Sequence, residues 1–349
     1  AILILLTFPT PQKFVIYLHW LQVPWSPNFH LPVEYGFPNN AVRNIRIPTI
    51  DNITLGAWHI LPNEYHAQYD LRNKVGLTDN VFDQALQDEK YDTVIYFHGN
   101  AMSRVAPWRI DLYKNLRLKF PRLNIIAIDY RGFGDSEGTP SENGLHLDAK
   151  STYNWLISKN VSPSKISLIG HSLGTGVATH LAYDLTKLGT PPKSLILQAA
   201  YSSLPNLIFE YRILEIVPIL APLKWSSRGK EWMLSKLNHI FDSYSYIKKV
   251  DCPILIVYGA YDLEIPVDHS KQLFFSALGS DDQYNEDWLL NNKEIKINEI
   301  NSEATVYTIL KANKSIKLVN LHHANHNNLG YFDYLYQSIQ ELTHWSSLL

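Results

Sequence analysis

The sequence predicts an α/β protein built on a mostly parallel sheet with helices on both faces. Three observations carry that expectation. From residue 93 onward, strand-like and helix-like patterns alternate, the order that gives parallel strands joined by crossover helices. One of those strands runs into a helix through a serine flanked by glycines, GHSLG from Gly170 to Gly174. Polar, chemistry-bearing residues follow several of the strands directly, at the carboxyl edge where an open sheet collects its ligands.

The bulk properties narrow the class. With 349 residues and 46% hydrophobic side chains, the chain can form one large domain with additions. Its net charge is −2 and its basic residues are scattered, so it has no electrostatic footprint for nucleic acid. The single cysteine, Cys252, excludes an intrachain disulfide framework and a cysteine-based metal site. Lying beside Pro253 and before an apolar run, it reads as a core residue. No histidine–carboxylate cluster has metal-ligand spacing, and the glycines fit neither a P-loop nor a dinucleotide fingerprint. No metal and no cofactor is therefore expected.

The elements follow in order. The opening run, AILILLTF, is too short to span a bilayer, which needs about 20 apolar residues. The next segment, KFVIYLHWLQVPWSPNF, is rich in rings of the kind that favour a membrane–water interface. Two readings are open: an interfacial segment below an upstream anchor removed by processing, or a helix packed on the domain. Residues 1–40 are assigned to a membrane-proximal segment and 41–349 to the globular domain. On the interfacial reading, removing residues 1–25 should impair turnover of a long-chain lipid and spare a short soluble ester.

Residues 42–60 hold two β-rich runs around Asp51-Asn52, a hairpin signal. Residues 63–90 read as a loop with a short helix. Strands are expected at 93–97, 125–130, 165–169, 195–198, 253–258 and 316–320. Helices are expected at 107–119, 144–158, 172–187, 267–277 and 331–345. Two stretches interrupt the alternation. Residues 201–248, with several prolines and the apolar run IFEYRILEIVPILAPLKW, read as a helical lid; 279–314, polar and acidic, read as a surface insertion. The lid section Ile213–Leu223 is a second candidate membrane contact.

Ser172 poses the central question. Serine is among the best helix N-caps, yet a cap needs no glycine on each side. A strand, a sharp turn at serine and a helix form a nucleophile elbow. Gly170 and Gly174 would let strand and helix approach while the serine takes a strained backbone conformation. The nucleophile reading leads.

The residues after the other strands complete a constellation. HGNA (His98 to Ala101), Asp262 and LHHANHNNLG follow their strands, giving the chain order serine, acid, histidine expected of an α/β-hydrolase. Ser172 would attack a carbonyl, a histidine would relay its proton, and Asp262 would orient the imidazole. The backbone N–H groups of Asn100 and Leu173 would bind the oxyanion. His326, just before the last helix, is better placed to swing over the serine than His322 or His323, which read as structural. Glu264 competes with Asp262 for the acid role, and His98 reads as a loop-orienting residue. Asp129 and Asp135 read as turn caps that position Arg131, and Asp148 as a surface or supporting group.

These residues resemble the α/β-hydrolase superfamily from about residue 40 to the C-terminus. Within it, EYGF, TLGAWHILP, YFHGNAMSR, DYRGFGDSEGTPSENG, GHSLGTGVATHL, TPPKSLILQA and HNNLGYFDYLYQS are similar to α/β-hydrolase domain-containing protein 12. That branch comprises membrane-anchored monoacylglycerol and lysophosphatidylserine lipases. The resemblance places the family's catalytic histidine on His326 and its Asp motif on Asp262. It implies a serine hydrolase acting on acyl esters of amphiphilic lipids, at a membrane surface and at the endoplasmic reticulum. Rivals are a thioesterase or small-ester hydrolase with the same triad, and an inactive lipid-binding or scaffold protein with the same fold. Asn52, Asn160 and Asn313 lie in Asn-x-Ser/Thr sequons that would permit glycosylation.

Overall fold

A computed structural model describes residues 7–212, 226–279, 286–311 and 314–348. The lid section Ile213–Leu223 and Asn313 lie outside the described residues.

A ten-stranded sheet organises the fold, in the order β1-β2-β4-β3-β5-β6-β7-β10-β9-β8. β1 (Val42–Pro48) and β2 (Thr54–Ile60) form the expected hairpin, with Asn52 in the left-handed region at its turn. The next six in sheet order are β4 (Leu123–Ile128), β3 (Asp92–Phe97), β5 (Ile166–His171), β6 (Leu195–Gln198), β7 (Ile254–Gly259) and β10 (Lys314–Leu321), all parallel. Each overlaps its expected position.

The sheet core shows the alternation that side-chain period two requires. Ile95, Phe97, Ile126 and Ile128 point into one cluster; Val94, Tyr96, Ile125 and Ala127 point into another. The first cluster is closed by α3 (Glu142–Ser158), α4 (Leu173–Lys187) and α5 (Asp268–Ala277), the second by α2 (Pro107–Lys119) and α6 (Asp333–Thr343). Proline at the first position starts α2 without wasting a donor. Ser141 caps α3 by accepting from the Gly144 N–H at 3.2 Å. Cys252 is buried in the first cluster, as its surroundings imply.

The acidic stretch departs from expectation. Within it, β8 (Lys296–Ile300) and β9 (Ala304–Lys311) are ladder strands that extend the sheet, β9 antiparallel to β10 and β8 antiparallel to β9, not only a surface excursion. The residues explain it: β9 is rich in β-branched side chains (Thr305, Val306, Thr308 and Ile309), and Ala304, Val306 and Ile309 are buried. The dense charge around them masked that signal.

At the other end, α1 (Pro9–Tyr17) packs on the domain. Tyr17 is fully buried in the first cluster, and Gln12 donates to the Lys236 carbonyl at 2.6 Å. Farther along, Trp58 donates its indole N–H to the Phe29 carbonyl at 2.8 Å. Burying a large apolar side chain stabilises by about 1.5–3 kcal/mol, so this stretch is held as firmly as core. Among the described residues, no helix is long and apolar enough to cross a membrane.

Candidate active site

The elbow is built from backbone geometry. β5 ends at His171, α4 begins at Leu173, and Ser172 between them has φ 51° and ψ −120°. A non-glycine residue held there stores about 1–3 kcal/mol of strain. A Cβ on Gly170 would meet the Gly174 carbonyl oxygen at 2.4 Å, and one on Gly174 would meet the Phe97 carbonyl oxygen at 2.0 Å. Only hydrogen fits at either position. The serine side chain makes no capping bond to the helix. Ser172 is an elbow residue rather than a cap.

The second element is the turn after β7. One oxygen of Asp262, Oδ1, accepts the N–H groups of Glu264 and Ile265, each at 2.9 Å. Its other oxygen, Oδ2, lies 2.8 Å from Nδ1 of His326, with both side chains buried. A carboxylate oxygen only accepts, so the imidazole donates from Nδ1. Glu264 approaches the other nitrogen, with Oε2 3.7 Å from Nε2. Of the two carboxylates, Asp262 is the one that orients the ring.

The third element is the loop after β3. Gly99 lies so close to the elbow that a Cβ there would sit 3.1 Å from Ser172 Cβ. Asn100 and Leu173 line one cavity with Ser172. Leu173 is the first residue of α4, and the opening N–H groups of a helix have no partner within it. Ala101 and Met102 both have left-handed backbones, with φ 58° and 56°.

The loop is braced by a residue that the sequence reading missed. Arg109, buried on α2, donates to the carbonyls of Ser103, Ala101, Asn100 and Gly99 at 2.7, 3.1, 3.2 and 3.3 Å. One guanidinium thus gathers the carbonyls of a whole loop. A lone arginine early in a helix gives no signal of this in sequence, because its partners are backbone atoms. Tyr211, near the start of the lid, was likewise overlooked: it accepts from the Asn100 side-chain amide at 2.9 Å.

Two cavities meet at this point. The larger, about 790 Å³ including its open mouth, is mainly apolar and lined by Val15, Ile16, Leu207, Ile208 and Met233 as well as Ser172. The smaller, about 380 Å³, is lined by Ser172, His326, Glu264, Tyr211 and Trp108. α1 therefore supplies part of a cavity wall, which the sequence did not reveal.

The remaining histidines sit outside the Ser172–His326–Asp262 arrangement. His322 bonds to Thr305 Oγ1 at 2.8 Å and the Ser302 carbonyl at 3.0 Å, while His323 is exposed. His98 donates from Nδ1 to the Gly99 carbonyl at 2.6 Å, and burial lowers its pKa. His171 donates from Nε2 to the His326 carbonyl at 2.8 Å; burial and the nearby His326 hold its pKa well below the usual value.

The acids of the glycine-rich turn correct the sequence reading. Asp129 and Asp135 do not position Arg131; both bind Arg104, and Asp129 accepts the Arg104 backbone N–H at 2.6 Å. Arg131 is held by Asp51 and by Asp148, each at 2.8 Å. Asp148 is fully buried and its pKa is raised to about 6 by burial. The reason is reach: Arg104 comes from the loop after β3, which crosses above the turn, and sequence distance hid that proximity.

Comparison with known proteins agrees with this fold. Residues 92–213 match the family described as alpha/beta hydrolase fold. The chain is 29% identical over 272 residues to lysophosphatidylserine lipase ABHD12 of Danio rerio, covering 78% of this chain and 68% of that protein. It is 31% identical over 255 residues to protein ABHD12B of Homo sapiens, covering 73% and 62%. The chain thus spans about two thirds of the length of the relatives it matches. Among solved structures, an alpha-beta hydrolase from Vibrio vulnificus superposes with a TM-score of 0.61 at 15% identity, over 97% of this chain and 92% of that one. The fold is the α/β-hydrolase fold.

Proposed function

We propose that this chain, with its α/β-hydrolase fold, is a serine hydrolase that cleaves carboxylic acyl esters of amphiphilic lipids, of the monoacylglycerol or lysophospholipid class. The observation that carries this reading is the elbow. Ser172, strained at φ 51°, shares a cavity with the imidazole of His326, whose Nδ1–H is bound by Asp262 at 2.8 Å.

In this reading the Ser172 oxygen bonds to the ester carbonyl carbon as its proton passes to Nε2 of His326. The carbonyl oxygen becomes an oxyanion, received by the backbone N–H groups of Asn100 and Leu173. The ester C–O bond then breaks, and Nε2 returns the proton to the departing alkoxide. Water repeats the sequence on the acyl-enzyme and frees the fatty acid. Asp262 holds the ring in the tautomer that can accept, and steadies the imidazolium.

The larger cavity supports the substrate class. Its apolar walls would bury an acyl chain at about 0.8 kcal/mol per CH₂, which favours a lipid over a small polar ester. The similarity to a lysophosphatidylserine lipase supports the same class. The rings of Phe8, Phe14, Trp20 and Trp25 are exposed around α1, and aromatic side chains of this kind sit well at headgroup depth. A membrane surface is thus the proposed source of substrate.

A fluorophosphonate probe tests the reaction. The folded protein should be labelled at Ser172 and should release fatty acid from monoacylglycerol, while Ser172→Ala should show neither. A folded Ser172→Ala protein with normal turnover would end the assignment. A protein that hydrolyses only short esters across a chain-length series would retain the chemistry and lose the lipid class.

A further inference from the structure

We propose that Glu264 is a positioning residue for His326: held by Tyr211, its carboxylate flanks the nitrogen that takes the serine proton and stabilises the imidazolium. This rests on the reading of His326 as the base. It goes beyond that reading by giving work to a carboxylate the triad does not use.

The geometry begins with one turn. Asp262 Oδ1 accepts the N–H groups of Glu264 and Ile265, so the turn that fixes one carboxylate also aims the next. The two acids bracket the ring, Asp262 at Nδ1 at 2.8 Å and Glu264 at Nε2 at 3.7 Å. The second distance is too long for a hydrogen bond and short enough for strong attraction once the ring is charged. Glu264 therefore leaves Nε2 able to accept a proton and favours the product of that transfer.

A latch holds the carboxylate there. The Tyr211 hydroxyl donates to Glu264 Oε2 at 3.3 Å and accepts from the Asn100 side-chain amide at 2.9 Å. Burial and the Glu264 carboxylate both raise the Tyr211 pKa, so the phenol stays a donor. Asn100 also supplies a proposed oxyanion N–H. One chain of contacts thereby joins that loop, the start of the lid and the base.

Other titratable groups among the described residues lie near the ring. Asp262 lies on the same turn; His171 comes from β5, its ring centroid 5.1 Å from that of His326 and its pKa far depressed. Arg109 lines the same cavity from α2 with its guanidinium spent on loop carbonyls. His98, after β3, has its pKa lowered by burial. Against this set, removing the Glu264 charge should disfavour the imidazolium.

The test is the pH profile of kcat/KM on a short soluble p-nitrophenyl ester, with the full chain. An opposite charge at this distance shifts a pKa by about one unit or more. Glu264→Gln should move the acid limb down by about one pH unit and lower plateau kcat roughly tenfold, with KM little changed. Glu264→Asp should restore part of both. Tyr211→Phe, which frees the carboxylate, should move the limb the same way by less. A Glu264→Gln enzyme with its acid limb unmoved would overturn the proposal. If Glu264→Gln fails to fold by circular dichroism, Tyr211→Phe decides by the same criterion. Wild-type protein that neither turns over the ester nor takes the fluorophosphonate label would remove the underlying reading. A labelled, active wild type with unmoved variants would remove this inference alone.

Discussion

The backbone N–H of Ala101 donates to the Tyr17 carbonyl at 2.8 Å, stitching α1 to the loop that carries Asn100. The next residue repeats the stitch, with Met102 N–H reaching the Leu21 carbonyl at 2.7 Å. Both loop residues have left-handed backbones, a conformation that persists only when its surroundings enforce it. The N-terminal segment is part of what enforces it.

This changes the expected result of removing that segment. On the interfacial reading alone, a short soluble ester would be spared. With the stitches in view, deleting residues 1–21 should cost activity on a short p-nitrophenyl ester and on long-chain monoacylglycerol alike, by at least tenfold each. The thermal midpoint should also fall, because Tyr17 leaves the core. Full activity on the short ester after deletion would show that the loop holds its shape unaided.

The orienting carboxylate should dominate its neighbours. Asp262→Asn is expected to lower kcat by about 10⁴, the loss seen when the wrong tautomer is imposed on a triad histidine. His326→Ala should be at least as damaging. His322→Ala and His323→Ala should keep most activity, since one bonds Thr305 and Ser302 and the other is exposed. Steady-state kinetics on the four purified variants decides the ranking.

The elbow should not tolerate one methyl group. A Cβ on Gly174 would lie 2.0 Å from the Phe97 carbonyl oxygen, which is backbone and cannot swing aside. Gly174→Ala should force β3 and α4 apart, destabilising by about 1–3 kcal/mol, and should suppress turnover by displacing Ser172. A thermal melt and an activity measurement check both halves. A melt equal to wild type would mean that the two elements have room to separate.

Acid sensitivity should trace partly to His59. Its ring is fully buried and bonded to Asn124 Oδ1 at 2.9 Å; burial and nearby Arg43 lower its pKa to about 3. The unfolded chain binds this proton near pH 6.5, so the folded state binds fewer protons in between. The stability that goes with a neutral His59 is present above about pH 6.5 and is lost as pH falls toward 3. His59→Gln should flatten the stability slope between pH 4 and 6 by about one proton, about 1.4 kcal/mol per pH unit. An unchanged slope in chemical denaturation would place the acid sensitivity elsewhere.

The sequence by itself determined the parts that depend on short-range rules. Side-chain periods of two and 3.6 marked the parallel strands and long helices, and glycines at 170 and 174 marked an elbow because only hydrogen fits there. The order of Ser172, Asp262 and His326, each beyond its own strand, was equally readable. Tertiary structure decided the pairings. Asp262 and Glu264 lie two residues apart on one turn, yet they address opposite nitrogens of a ring 64 residues beyond Asp262. Asp129 found Arg104 rather than nearby Arg131, α1 became a cavity wall, and β8 and β9 joined the sheet. Such choices depend on which loops cross above the sheet and on how much charge each buried site must balance. Those quantities exist only once every element has been placed.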